Sequence, residues 1–262
     1  GVAVVLTDND SKPTVEHVLN FGLKPARSKM LPRLVEALNT EVSQGIIRSV
    51  GSAKRWLQTT FFFSCKKKEH EAISAIRELC DETVTRLRQL GLVQDGENRS
   101  IIPRPGSHVM NHHMISHDEM ARIVSWPNDS DLRQILSFLS KLIDIPVRRN
   151  EKTELKEVHK TAIVRYKFPG QLSKFTVKTS NHKVYILLQC IIGRHEFDNS
   201  TLRQEMASIT NSATKILHAA QAYSLQHTHD GRLALECYRL TRSIVLCQWG
   251  IDSGVLNAIH VV

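Results

Sequence analysis

The sequence predicts a mainly α-helical protein in which a winged helix is followed by a helical bundle, with a short apolar strand at its beginning. Three observations carry that expectation. Apolar residues recur at intervals of three and four through much of the chain, the period of helices with one buried face. Two short β-branched runs flank an Asp95-Gly96 turn signal directly after the first helices. Residues 184–192 are too apolar to lie on a surface.

Taken in order, Val2-Ala3-Val4-Val5-Leu6 is a continuous run closed by Thr7-Asp8-Asn9-Asp10, which reads as a fully buried strand. No second strand lies near it in sequence, so it reads as the rim of a larger domain and the chain as a fragment. From Met30, the residues Leu31, Leu34, Val35, Leu38, Val42 and Ile46 form an amphipathic helix with Gly45 near its end. A second helix covers about 52–61, carries Trp56 and Leu57, and has Ser49 or Ser52 as its cap. A third runs over about 69–90 with Ile73, Ile76, Leu79, Leu87 and Leu90 apolar, and stops at Gly91. Leu92-Val93 and Ile101-Ile102 then pair around a tight loop. Helices followed by a small hairpin spell a winged helix; a plain helical hairpin with an irregular tail is the alternative.

Pro103, Pro105 and Gly106 read as a break, and Trp126-Pro127-Asn128-Asp129 as the capped opening of a helix. Its buried face is Leu132, Ile135, Leu136, Leu139, Leu142 and Ile143, and Pro146 ends it. Residues 163–168 alternate as a short strand closed by Pro169-Gly170, and 184–192 form a core helix. Two amphipathic helices, about 201–226 and 231–249, are separated by the polar turn His227-Thr228-His229-Asp230.

Charge and motifs narrow the function. A net charge of +9 over 262 residues points to a polyanionic partner. Lys24, Arg27, Lys29, Arg33, Arg48, Lys54, Arg55, Lys66, Lys67 and Lys68 are opposed in that stretch only by Glu36 and Glu41, and the other reading of such a run is a solvated surface. The 5 cysteines include no C-x-x-C pair, which argues against a disulfide framework or zinc ribbon and for a reducing compartment. With no apolar run of membrane length and no signal-peptide order at its start, the chain is expected to be soluble and intracellular, with no membrane partner. There is no G-x-x-x-x-G-K-[ST] loop, no acidic strand-end group for magnesium and no recognisable nucleophilic triad. No ATPase activity, catalytic residue, bound cofactor or small-molecule substrate is therefore expected of this chain.

Within 201–226, Leu202, Met206, Ile209, Ala213, Ile216, Ala220 and Tyr223 share one face, while Ser208, Asn211, Lys215 and His218 form a separate stripe. Cations and hydrogen-bond donors in such a row suit the phosphates of an unpaired strand, and flat rings suit its bases. An ordinary solvated face is the competing reading. His108, His112, His113 and His117 invite a metal hypothesis, but only Asp118 and Glu119 are at hand to complete a ligand set, and no metal is expected.

Several segments resemble the meiotic crossover-promoting DNA helicases of superfamily two, the Mer-three or HFM type within the Ski-two-like group. Gly1-Val2-Ala3-Val4-Val5-Leu6-Thr7 is similar to the strand after the last ATPase motif. The stretch Leu34-Val35-Glu36-Ala37-Leu38-Asn39-Thr40-Glu41-Val42 with Gly45-Ile46-Ile47 resembles L-x-E-H-L-N-A-E-I-x-x-G-T-I, departing at Ala37, Thr40 and Ile47. Trp56-Leu57-Gln58-Thr59-Thr60-Phe61 resembles a W-L-x-x-T-F region with one residue inserted. His112 and His113 stand where the family has a pair of tyrosines after Gly-x-x-Met, which makes them replacements for packing aromatics. Arg148-Arg149-Asn150-Glu151-Lys152 is similar to the R-x-N-E-K element of the Sec-sixty-three homology domain, and Tyr185-Ile186-Leu187-Leu188-Gln189 with Gly193 to its L-L-Q-x-x-L-G helix. Ser212-Ala213-Thr214-Lys215-Ile216 resembles the ratchet helix that lines the translocating strand, with Lys215 in place of Arg and His218 where a second Arg is common. Tyr238-Arg239-Leu240-Thr241-Arg242-Ser243, Cys247-Gln248-Trp249 and Val255-Leu256 continue the match.

The resemblance implies a remnant of the second RecA-like domain and a linker over 1–24, a winged helix over 25–106 and a ratchet domain, truncated at its end, over 107–262. It implies the accessory portion of an ATP-dependent 3′-5′ DNA helicase of meiotic recombination, acting in the nucleus on single-stranded or branched DNA beside recombination proteins. ATP and magnesium would serve only the absent motor domains. Lys215 and His218, helped by Asn211, would touch the strand, and the winged helix would act as a hinge. Arg148, Arg149 and Lys152 would contact phosphates or serve as internal ion-pair partners, with Glu151 or Glu154 as the carboxylates. A non-catalytic protein-interaction scaffold and an accessory module of an RNA helicase are the alternatives.

Overall fold

The computed structural model describes residues 4–22, 28–64, 69–168, 176–228 and 231–250. Expectations for Gly1, Val2, Ala3, Lys24, Arg27, Lys66, Lys67, Lys68, Pro169, Gly170, His229, Asp230, Val255 and Leu256 fall outside them. Among the described residues the chain is mainly helical with one two-stranded sheet.

Val4, Val5 and Leu6 do not form the expected buried strand; they are 77%, 54% and 92% exposed. No described strand pairs with them, and an unpartnered strand has nowhere to place its backbone hydrogen bonds except in water. Helix α1 (Lys12–Phe21) follows, opened by Asp8 Oδ1 accepting the Ser11 N–H at 2.6 Å.

Helix α2 (Leu34–Ser43) buries Leu34, Leu38, Asn39 and Val42. It ends where Gly45 takes φ 74°, a left-handed turn that returns the Ile46 N–H to the Glu41 carbonyl. Ser49 caps α3 (Val50–Gln58) in a reciprocal box with Ser52, settling which serine does so. The single turn α4 (Phe61–Ser64) puts Phe62 into the core. Helix α5 (Glu69–Gln89) packs on α2 and α3 and breaks before Gly91, at φ 66°. Strands β1 (Val93–Asp95) and β2 (Ile101–Pro103) pair antiparallel with Gln94 opposite Ile102. Ser49 bridges Ser100, and the Ile101 N–H reaches the Arg48 carbonyl at 2.8 Å, so the hairpin is stitched to the head of α3.

The break expected at 103–106 narrows to Arg104 between Pro103, the end of β2, and Pro105, the start of α6 (Pro105–His112), because a proline in the first turn gives up no helical hydrogen bond. Helix α7 (His117–Val124), opened by a Ser116/Glu119 capping box, also lies in a stretch where the sequence predicts none. The cap of α8 (Leu132–Leu142) is Asp131 with Gln134 rather than a residue of 126–129, and Trp126 stacks on Phe138 with ring centres 5.5 Å apart. Helix α9 (Lys152–Lys160) forms in a charged segment and buries only Leu155, Val158 and His159.

The expected strand over 163–168 does not form. The side-chain amide of Gln189 takes the place of a strand partner: its Oε1 accepts the Tyr166 N–H at 2.8 Å, and its Nε2 donates to the Tyr166 carbonyl at 2.9 Å. Helix α10 (Ser180–Ile192) is the predicted core helix, buried at every residue from His182 to Ile192 and packed on α8, α9, α11 and α12. Helix α11 (Ser200–Tyr223) continues into a π turn (Ser224–Thr228), and α12 (Gly231–Leu246) lies along it. One apolar core runs from Leu34 through both halves to Trp249.

Candidate nucleic-acid interface

Helix α11 divides its two faces sharply. Leu202, Ile209, Ala213, Ile216, Leu217, Ala220 and Tyr223 are buried, whereas Ser208, Asn211, Lys215 and His218 are all exposed. The Thr210 and Thr214 hydroxyls donate to the carbonyls of Met206 and Thr210, both at 2.9 Å, so these side chains serve the helix itself. Asn211, Lys215 and His218 keep their polar ends for solvent.

Lys215 borders a cleft of about 1110 Å³ that α2, α6, α7, the end of α8 and the start of α10 also line. Its cations are Arg33, Arg122, Lys141 and Lys215, and its acids include Glu36 and Asp144. Arg122 donates to the Lys141 carbonyl at 2.8 Å, and the Lys141 ammonium sits 5.9 Å from the Phe138 ring centre. Burial acts to raise the Glu36 carboxyl, but hydrogen bonds from His117 outweigh it and hold the group below its usual range. Sequence reasoning missed Arg33, Arg122 and Lys141 as neighbours of Lys215, because no local spacing links four separate helical segments.

The basic run at 148–152 splits. Arg148, Arg149 and Lys152 are all exposed, and Arg148 also reaches carboxylates of the bundle. Its Nη1 lies 2.6 Å from Glu205 Oε1 and 3.6 Å from Glu151 Oε2. Lys183 Nζ completes the group at 2.6 Å from Glu151 Oε1 and 2.7 Å from Glu205 Oε2, and donates to the Pro146 carbonyl at 2.9 Å. Two cations thus meet two carboxylates around a fully buried Lys183–Glu151 pair. The Glu205 hydrogen bond raises the Arg148 pKa. Arg148 is accordingly an ion-pair partner, through Glu151 and Glu205 and not Glu154. Lys183 and Glu205 went unread in the sequence, although a lysine at the head of an apolar run was the available signal.

The four histidines also separate. His117 Nδ1 lies 2.7 Å from Glu36 Oε1 and its Nε2 3.6 Å from Asp118 Oδ1, tying α7 to α2. His112 and His113 meet edge to face at 4.9 Å, and the His113 ring centre is 6.5 Å from that of His218 on α11. Burial, then the nearby His112 and His218, lower the His113 pKa. Among the described residues no three His, Cys, Asp or Glu side chains are arranged to hold a metal. Cys80, Cys190, Cys237 and Cys247 are free, and burial pushes the Cys190 and Cys237 thiols up to about 12, far from nucleophilic thiolates. No helix among the described residues is long and apolar enough to cross a membrane.

Residues 103–252 match the family model of the Sec63 Brl domain. The chain is 25% identical over 244 residues to the ATP-dependent DNA helicase MER3 homolog of Oryza sativa subsp. japonica, a match covering 85% of this chain and 20% of that protein. It is 24% identical over 271 residues to the probable ATP-dependent DNA helicase HFM1 of Xenopus tropicalis, covering 97% and 20%. It is 26% identical over 279 residues to the U5 small nuclear ribonucleoprotein 200 kDa helicase of Caenorhabditis elegans, covering 99% and 12%. The chain therefore spans about a fifth or less of the length of these relatives.

Proposed function

The chain belongs to the Sec63 Brl domain family, and from that premise we propose that it is the strand-holding accessory portion of an ATP-dependent DNA helicase of meiotic recombination. In this reading residues 25–106 are a winged helix, and 107–262 are the ratchet. The hairpin and its Ser49–Ser100 bridge support the first assignment, and the match beginning at residue 103 supports the second. Residues 1–24 would belong with a RecA-like motor domain, and ATP and magnesium with the motor of a longer nuclear protein. This chain's own task is to hold one DNA strand while the motor moves it.

The observation that carries the reading is the exposed row Asn211, Lys215 and His218 on a helix whose other face is locked in the core. A rigid helix with a free cation, an amide and a ring at successive turns offers a phosphate contact and a base contact without reordering. Arg149 and Lys152, both exposed, are further phosphate contacts.

Polarisation of a labelled single-stranded oligonucleotide against salt concentration tests this. Binding weakens with salt, and Lys215→Ala with His218→Ala lowers the affinity and flattens the salt slope by about one unit for each phosphate that no longer meets a cation. Absence of binding at low salt, or a double variant that binds like the parent, overturns the strand-holding role. Matches to the U5 ribonucleoprotein helicase and to the pre-mRNA-splicing factor brr2 of Schizosaccharomyces pombe favour RNA as the second reading, which competition between DNA and RNA oligonucleotides separates.

A further inference from the structure

Helix α6 ends in two adjacent histidines that the strand contact of α11 leaves without a role. They project beside that contact: His112 and His113 lie 4.9 Å apart, and His113 lies 6.5 Å from His218 across the helix pair. His112 and His218 are exposed and His113 is half-buried, so the cluster opens to solvent along one edge.

Among the described residues no carboxylate forms an ion pair with these three rings. Among the groups on elements packed against α6 and α11, Glu36 of α2 is held by His117, and Asp118 of α7 is shared by His117 and Arg86. Glu119 is engaged in the α7 cap, Glu205 and Lys183 are joined in the buried ion group, and Glu236 of α12 is held by Arg239. Glu41 of α2 makes no ion pair with the three rings among the described residues, His227 of the π turn stacks on Tyr223, and Lys215 adds a further positive charge one turn before His218. Protonating His113 therefore costs desolvation, and then repulsion from His112 and His218. An anion placed at the open edge would remove that cost.

We propose that His112 and His113 join His218 in an imidazole subsite for a backbone phosphate of the bound strand, so that the grip tightens as these rings take up protons. The proposal rests on the reading of α11 as a strand contact. Proton uptake and phosphate binding are linked: a ligand that raises the imidazole pKa must bind more tightly at lower pH. No lysine or arginine contact would change its charge between pH 7.5 and 5.5.

The test measures affinity of the full chain for an oligothymidylate carrying a pH-insensitive dye, at pH 7.5, 6.5 and 5.5 and fixed ionic strength. The parent protein gains affinity as the pH falls, by up to about tenfold per pH unit for each proton taken up. His112→Gln with His113→Gln loses that gain, while Lys215→Ala binds more weakly at every pH and retains it. A double variant that keeps the parent's pH slope overturns the subsite and leaves the Lys215 contact standing; a parent that binds at no pH overturns both. If circular dichroism shows the double variant unfolded, His112→Gln alone, at an exposed ring, must reduce the slope, and an unchanged slope there rejects the proposal.

Discussion

Lys183 is the residue on which the bundle's electrostatics turn. It is fully buried, yet both carboxylates within reach, Glu151 and Glu205, are matched by it and by Arg148, so the charges close on themselves. Removing Lys183 leaves the fully buried Glu151 with only the more distant Arg148 at 3.6 Å, whereas replacing the buried pair by apolar groups of similar volume avoids that penalty. Lys183→Ala is expected to cost about 3–5 kcal/mol, and Lys183→Met combined with Glu151→Leu markedly less, as read from urea denaturation midpoints. A double change as damaging as the single one would mean that packing, not charge pairing, sets the cost. The Arg148 to Lys152 motif was legible as a basic run, but the engagement of Arg148 and Glu151 in the ion group was not, because their partners lie 57 and 32 residues away in sequence.

At the scale of elements, Gln189 connects a helix to a segment with no regular structure. Its amide supplies a donor and an acceptor to Tyr166, which is why 163–168 holds a defined path without a partner strand. Gln189→Leu strands both backbone groups at about 1–3 kcal/mol each; a lower urea midpoint with faster proteolysis near Tyr166 is the expected result, and unchanged values would show that water takes over the amide's role. The same case explains which elements were legible. Helices α2, α5, α8 and α11 are long or strongly periodic, and their apolar spacing found them, whereas α10 was found by its unbroken apolar run. Helices α6, α7 and α9 span two turns or so and bury too few side chains for a period to emerge; α6 begins with proline and α7 with a capping box. Residues 163–168 alternate like a strand, but alternation cannot tell a ladder partner from a glutamine side chain. The α11 stripe was legible because spacings of three and four fix a helix face whatever surrounds it, while the cleft beside it depends on how separate helices meet.

For the whole molecule, burial of protonatable groups sets the response to pH. Burial holds the His159 and His182 pKa values below the usual one, with Lys167 adding to the effect on His159. The unfolded chain then binds protons more readily than the folded one, so stability present above about pH 6.5 is lost as the pH falls below it. Glu36 acts in the same direction lower down, since its carboxyl is held below its usual value and its contribution disappears as it protonates. Denaturation midpoints are expected to drop from pH 7.5 to pH 5, and a flat profile would contradict the neutral state of the buried histidines. Because α10 is enclosed on every side, its amides meet water only when the surrounding helices part. That helix is therefore the molecule's slowest clock: deuterium entering it times the opening of the entire bundle, whatever happens at the rim.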